Sequence, residues 1–183
     1  MKKLNICQSN VLPVLLYKEP GFKGLEKKFM SESAYSEALT SLVIVCTDVL
    51  LVNRVNKTVY LAKRRSKPMN DWWLIGGRMY AGELPEESMA RCFKRETSVE
   101  IEKNRFKFVA LNRYFFKDRQ QTPQNIGCDS LCYTFILEPT KEELNKISLD
   151  SNEYQGGIRE FTRETISREK VNEAIFNLLS YIG

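Results

Sequence analysis

The chain has 183 residues, of which 43% are hydrophobic and 28% charged, with nine Gly and six Pro; this balance suits one globular domain with a sizeable core and excludes a collagenous or low-complexity chain. Histidine is absent, which removes every mechanism built on a histidine base, nucleophile or metal ligand. Net charge is +5, and residues 61–120 hold 14 Lys/Arg against 8 Asp/Glu, so the basicity belongs to the middle of the chain and points to an anionic ligand.

Residues 1–30 read as an irregular, partly apolar lead-in. Its apolar stretch is broken by polar residues and Pro, so no cleaved signal peptide is expected. Apolar runs such as Ser41 to Cys46 fall far short of the ~20 residues that span a bilayer, and no membrane partner is expected. Ser31 to Thr40 suits a short helix with Ser as its cap. Ser41 to Val52 is rich in Val, Ile and Leu, as a buried strand should be. A turn over Asn53–Lys57 leads to a second strand, Thr58 to Arg64. Trp72 to Ile75 reads as a short strand that ends in a turn at Gly76-Gly77.

Pro85 fits the first turn of a helix that runs to about Thr97, with Met89 and Phe93 on its core side. Arg105 to Phe116 and Asp129 to Glu138 read as strands around a polar loop. Thr140-Lys-Glu-Glu143 has capping-box spacing for a short helix. Ile158 to Thr162 is a last strand, and Val171, Ile175, Leu178 and Ile182 follow the spacing of a closing amphipathic helix. The five cysteines, at 7, 46, 92, 128 and 132, form an odd set with no CxxC pair. They suit thiols in a reducing compartment, and a cytoplasmic location is expected.

The segment that carries chemistry is Gly76 to Val99, a strand end, a glycine turn, a loop and a helix. It resembles the box of the Nudix hydrolases. Gly77, Glu83 and Arg91 have the box spacing, Phe93 holds its apolar position, Glu96 its last glutamate, and Val99 closes it. Leu61-Ala-Lys-Arg64 ahead of Trp72-Trp-Leu-Ile-Gly-Gly is similar to the usual run into that box. The resemblance implies an α/β fold, a Nudix-type α/β/α sandwich around a mixed sheet. It places a Nudix domain over residues 41–183, with residues 1–40 as an N-terminal extension.

Departures from the box shape the expected chemistry. Cys92 stands for the first helical glutamate, Arg95 for the next and Ser98 for the box glycine. A face that ordinarily offers several carboxylates to Mg²⁺ here offers one, Glu96, so a cluster of several ions has lost its counter-charge. The pattern is most similar to the GDP-mannose mannosyl hydrolase branch, at Lys63-Arg64, Gly76-Gly77-Arg78 and Glu96. That resemblance implies one Mg²⁺ held by the Gly76 carbonyl and Glu96, and Arg64 and Arg78 on a diphosphate. It also implies a water attack at the anomeric carbon of a nucleoside diphosphate sugar, from which nucleoside diphosphate leaves. The branch places a histidine base in the loop before the last strand, where this chain reads Asn152-Glu153-Tyr154-Gln155. Glu153 is then either the base or the third metal ligand, with Tyr154 and Gln155 as substrate contacts.

Of the remaining candidates, Glu83 is expected to tie the loop to the helix and Arg95 to lie on the surface, with phosphate binding as its lesser alternative. Cys92 is read as inert packing. Trp72 and Trp73 should face opposite sides of a strand, one in the core and one free to stack on a base. Asp48 on the first strand is a lesser candidate for base recognition. Two rival functions stand beside glycosyl C–O hydrolysis: pyrophosphohydrolysis of a nucleoside diphosphate derivative with Glu153 as base, and a catalytically weak nucleotide-binding module. Nucleic acid is not an expected partner, since no aromatic and basic interleaving of an RNA module is present. A homodimer is open, with helix 31–40 and the lead-in as its contact.

Overall fold

A computed structural model describes residues 16–26 and 28–182. Most of the apolar lead-in, with Cys7, lies outside the described residues. The first helix, α1 (Glu32–Ser41), starts where expected, and the Ser31 hydroxyl accepts from the Ala34 amide at 3.2 Å. The strands follow as β1 (Ile44–Asn53), β2 (Thr58–Arg64), β3 (Trp72–Trp73) and β4 (Ile75–Arg78). Then come α2 (Pro85–Thr97), β5 (Lys107–Phe116), β6 (Cys128–Leu137), α3 (Lys141–Lys146), β7 (Tyr154–Phe161), α4 (Arg163–Arg168) and α5 (Glu173–Leu178).

The seven strands form one mixed sheet in the order β3-β2-β1-β6-β5, with β4 paired to β1 and β7 to β2. Among the described residues only β1 and β6 run parallel; the other pairings are antiparallel. Alternation along β1 sends Val49 and Leu51 to one face and Leu50 and Val52 to the other. On the first face they meet Met89, Cys92 and Phe93 of α2, and on the second Ile166 of α4 with Ile175 and Leu178 of α5. Both faces are covered, which is the expected α/β/α sandwich and explains why β1 lacks the polar alternation of a one-sided strand. No described helix is long and apolar enough to cross a membrane.

Three elements differ from expectation. The Trp72–Ile75 strand divides because its partner changes: Trp72 and Trp73 pair with Lys63 and Ala62 of β2, and Ile75 to Arg78 pair with Val49 to Cys46 of β1. The segment thus wedges between β1 and β2 where they diverge. The last strand begins at Tyr154 rather than Ile158, because pairing with β2 continues through Gly156-Gly157 to Arg64 by way of a bulge. The closing helix is shorter. Val171, Ile175, Leu178 and Ile182 are all buried, as their spacing predicts. Lys170, at φ +52°, separates α4 from α5, and a 3₁₀ turn over Leu179–Tyr181 ends the element.

Candidate active site

The wedge opens a cleft of about 480 Å³ at the end of β1 and β4, within the usual range for small-molecule sites. Gly76 and Gly77 lie inside β4 rather than in a turn, and neither has positive φ. Both are needed for close approach. A Cβ on Gly76 would sit 2.2 Å from the Thr47 carbonyl oxygen and 2.3 Å from Asp48 Oδ1. One on Gly77 would sit 2.9 Å from Arg95 Nη2 and 3.2 Å from Cys92 Sγ. The first glycine lets β4 lie against β1, and the second lets α2 lie against β4.

From β4 the chain passes through a loop into α2. Glu83 ties the two together as expected. Its carboxylate accepts from Arg91 Nε at 2.6 Å and Nη2 at 2.8 Å, and from the Tyr80 amide at 2.9 Å. The Arg91 guanidinium also stacks 3.8 Å from the centre of the Tyr80 ring and donates to the Arg78 carbonyl at 2.8 Å. Cys92 is fully buried beneath, and burial pushes its thiol pKa up. At the far end of α2, Ser98 takes the left-handed conformation that ends the helix, at φ +61°.

Five of the seven expected site residues line this cleft: Arg64, Gly76, Arg78, Glu96 and Glu153. The loop that carries Glu153 is docked on α2, with the Ser148 amide on the Thr97 carbonyl at 2.9 Å and the Asp150 amide on the Glu96 carbonyl at 3.2 Å. Glu153 Oε2 accepts from Ser66 Oγ at 3.0 Å and from Arg64 Nη2 at 3.5 Å. Both bonds fall on one oxygen, and among the described residues Oε1 has no side-chain partner. Arg64 Nε is buried and lacks a hydrogen-bond acceptor.

Tyr154 and Gln155 do not join them. Tyr154 is 1% exposed and packs in the core with Met89 and Phe93 of α2; it opens β7 opposite Arg64 and is not part of the cleft lining. Gln155 is exposed on the edge-facing side of that strand, outside the cleft lining. Arg95 is exposed, as expected, and also lines the cleft, where it bonds Glu96 Oε1 through Nε at 2.9 Å and through Nη2. The Glu96 side chain is 5% exposed, and this guanidinium is its ion-pair partner.

Asp48 holds a stronger position than expected. It lies over Gly76, 7% exposed, and burial raises its carboxyl pKa to about 6 against the opposing pull of a Cys132 hydrogen bond and the Arg64 charge. Trp72 and Trp73 both pack with the α4–α5 side of the sheet. Trp73 also reaches the cleft, edge-on to Tyr114 at 5.3 Å, while Trp72 lies under Arg159 at 4.5 Å. A two-residue strand at a partner change does not impose the strict alternation of a longer one.

Sequence reasoning missed the contribution of α1. Its Tyr35 ring stacks on the Arg78 guanidinium at 3.7 Å, and Leu39 lines the cleft beside it. Arg119 fixes this helix. The side chain is 1% exposed, donates to Ser36 Oγ at 2.8 Å and Thr40 Oγ1 at 2.9 Å, and reaches the Pro123 carbonyl at 3.2 Å. The helical cap at Ser31 was readable, but nothing local told where α1 would dock.

The single Mg²⁺ expected on Gly76, Glu96 and Glu153 does not fit the residues as placed. Glu96 is paired with Arg95, and Glu153 with Arg64 and Ser66. Among the described residues no three His, Cys, Asp or Glu side chains converge on a common point. Basic side chains on the cleft wall (Arg64, Lys67, Arg78, Arg95, Arg119) outnumber the acidic ones (Asp48, Glu96, Asp150, Glu153). The arrangement can hold a multivalent anion by charge-assisted hydrogen bonds, and it offers carboxylates beside that anion.

Comparison with known proteins agrees with this architecture. No curated protein sequence matches the chain. The fold is similar to a MutT NUDIX hydrolase from Burkholderia pseudomallei, with 14% identity and a TM-score of 0.54 over 68% of this chain and 87% of that one. It is also similar to the E. coli dihydroneopterin triphosphate pyrophosphohydrolase, with 12% identity and a TM-score of 0.53 over 75% and 92%. A MutT protein from Methanosarcina mazei Go1 gives 16% identity and a TM-score of 0.52 over 76% and 92%. The model of the NUDIX domain matches residues 44–180, and the chain belongs to the Nudix family of hydrolases.

Proposed function

We propose that the protein hydrolyses a nucleoside diphosphate sugar at the glycosyl C–O bond. Nudix hydrolases act on small molecules and generally use a divalent metal. The observation that carries the reading is the convergence of Arg64, Arg78 and Arg95 on one cleft whose wall presents the Glu153 carboxylate. Attack at carbon asks little of the protein at phosphorus and much at the departing diphosphate, which leaves with the bonding electron pair. Guanidinium groups stabilise that charge through bidentate bonds, and the unpartnered Nε–H of Arg64 supports an anion there.

Glu153 takes the proton of the attacking water on Oε1, while Ser66 and Arg64 fix the carboxylate through Oε2. The hydroxyl goes to the anomeric carbon, and the products are the free sugar and the nucleoside diphosphate. Tyr35, at the cleft wall, offers aromatic surface to the rest of the substrate.

Phosphorus NMR of the full chain with GDP-mannose, GDP-glucose and ADP-ribose, with and without Mg²⁺, tests the reading. Nucleoside diphosphate is the expected product from the two GDP-sugars, with ¹⁸O from labelled water in the sugar, and ADP-ribose, whose diphosphate is not on an anomeric carbon, is expected to stay intact. Glu153→Gln is expected to slow turnover by about 10²-fold or more. Nucleoside monophosphate together with sugar phosphate, with the label on phosphorus, would overturn C–O cleavage.

A further inference from the structure

We propose that Arg95 replaces a divalent cation in this cleft, so that the diphosphate is bound by the protein's own charge without metal. The inference rests on the reading of the cleft as a diphosphate site and goes beyond it.

The geometry of α2 carries it. Residues 92, 95 and 96 lie on one face of the helix, and at that face the chain presents a thiol, a guanidinium and one carboxylate. Arg95 does not extend into solvent from there. Its Nε and Nη2 both turn onto Glu96 Oε1, and the space that a Gly77 side chain would fill admits its Nη2. Half of the side chain remains exposed, at 49%, on the wall shared with Arg64 and Arg78. A cation is therefore fixed over the carboxylate that would otherwise bind one.

The carboxylates around it give the same answer. Glu96 and Glu153 each carry a guanidinium partner, Asp48 is buried against Gly76, and Asp150 Oδ1 accepts from the Asn152 amide. A divalent ion entering here would meet an arginine at each of the two glutamates. A diphosphate would meet three guanidinium groups, whose planar forks match phosphate oxygens in pairs. Arg95 is half-exposed and oriented by Glu96, so it can add hydrogen bonds to an anion without abandoning its pair.

Calorimetric titration of the full chain with GDP and with inorganic pyrophosphate, in EDTA and in millimolar Mg²⁺, tests this. The Kd values in the two buffers are expected to agree within about threefold. Arg95→Ala is expected to weaken binding in EDTA by about tenfold to a hundredfold, the range of a lost charged hydrogen bond, with Arg95→Lys in between. Electron paramagnetic resonance of Mn²⁺ is expected to show no stoichiometric binding to the wild type, whereas Arg95→Glu, which frees Glu96 and adds a carboxylate, takes up the ion.

Binding in Mg²⁺ that disappears in EDTA would overturn the inference and leave the hydrolase reading in place. So would a stoichiometric Mn²⁺ site on the wild type, or an Arg95→Ala variant that binds as the wild type does. No binding of either probe in either buffer would overturn both the inference and the diphosphate site. The wild-type comparison stands whatever the stability of the variants.

Discussion

Two adjacent glycines in β4 should respond very differently to the same added methyl group. In Gly76→Ala the new Cβ lies 2.2 Å from the Thr47 carbonyl oxygen and 2.8 Å from the Asp48 Cα, both backbone atoms of the central strand. Relief requires β1 and β4 to separate by roughly 1 Å, an overpacking cost of about 1–3 kcal/mol with further loss as the strand pairing stretches. In a chain of this length that lowers Tm by about 4–10 °C. In Gly77→Ala the nearest atom is Arg95 Nη2 at 2.9 Å, the end of a flexible side chain, which can move aside. Its cost in stability is expected to stay below about 1 kcal/mol. Gly157→Ala, which meets nothing within 4 Å, serves as the control. Thermal unfolding followed by circular dichroism measures all three. A Gly76→Ala variant that melts with the control, or a Gly77→Ala variant that melts far below it, would refute the account of why this pair is glycine.

Two further changes test local features. Ser98 pays for its left-handed conformation at the end of α2, so Ser98→Gly is expected to stabilise the fold by about 1 kcal/mol, and a lower Tm would contradict that. Burial raises the Asp48 pKa to about 6, above its ordinary 3.8, so its contribution to stability is complete at low pH and is lost as pH rises towards 6. Relative to the wild type, Asp48→Asn should therefore gain up to about 3 kcal/mol between pH 4 and pH 6.5 in denaturant titrations. A difference that does not change with pH would rule this out.

The parts of the site that were legible in sequence are those fixed by local spacing. Five residues separate Gly77 from Glu83 and seven separate Glu83 from Arg91, and the last two meet in the ion pair that their spacing implies. Pro85 and Thr97 bound α2 through local backbone preferences. What escaped depends on pairing between distant segments. The face on which Tyr154 lies is decided by the register of β7 against β2 and its bulge, and the glycines at 156 and 157 disguise the start of that strand. Arg95 looked like a solvated helix residue because its neighbour Glu96 is in sequence contact, while the cleft wall that receives it comes from β2 and β4. Asp48 and Tyr35 could be listed as polar residues on their elements, but only the divergence of β1 from β2 and the docking of α1 give them a common space.

The anchoring of α1 by Arg119 places part of the cleft wall outside the span matched by the domain model. A chain trimmed to the span matched by the domain model, beginning at Ile44, would keep the sheet and every box residue. It would lose the ring that lies on Arg78 and the hydroxyls of Ser36 and Thr40 that receive the buried guanidinium. This part of the cleft wall is held on the sheet by the Arg119 bonds, by the Tyr35–Arg78 stack and by the buried Ala38 and Leu39. Removing α1 would thus strip the wall beside Arg78 and leave the sheet that carries Arg64, Gly76 and Arg78 as it is.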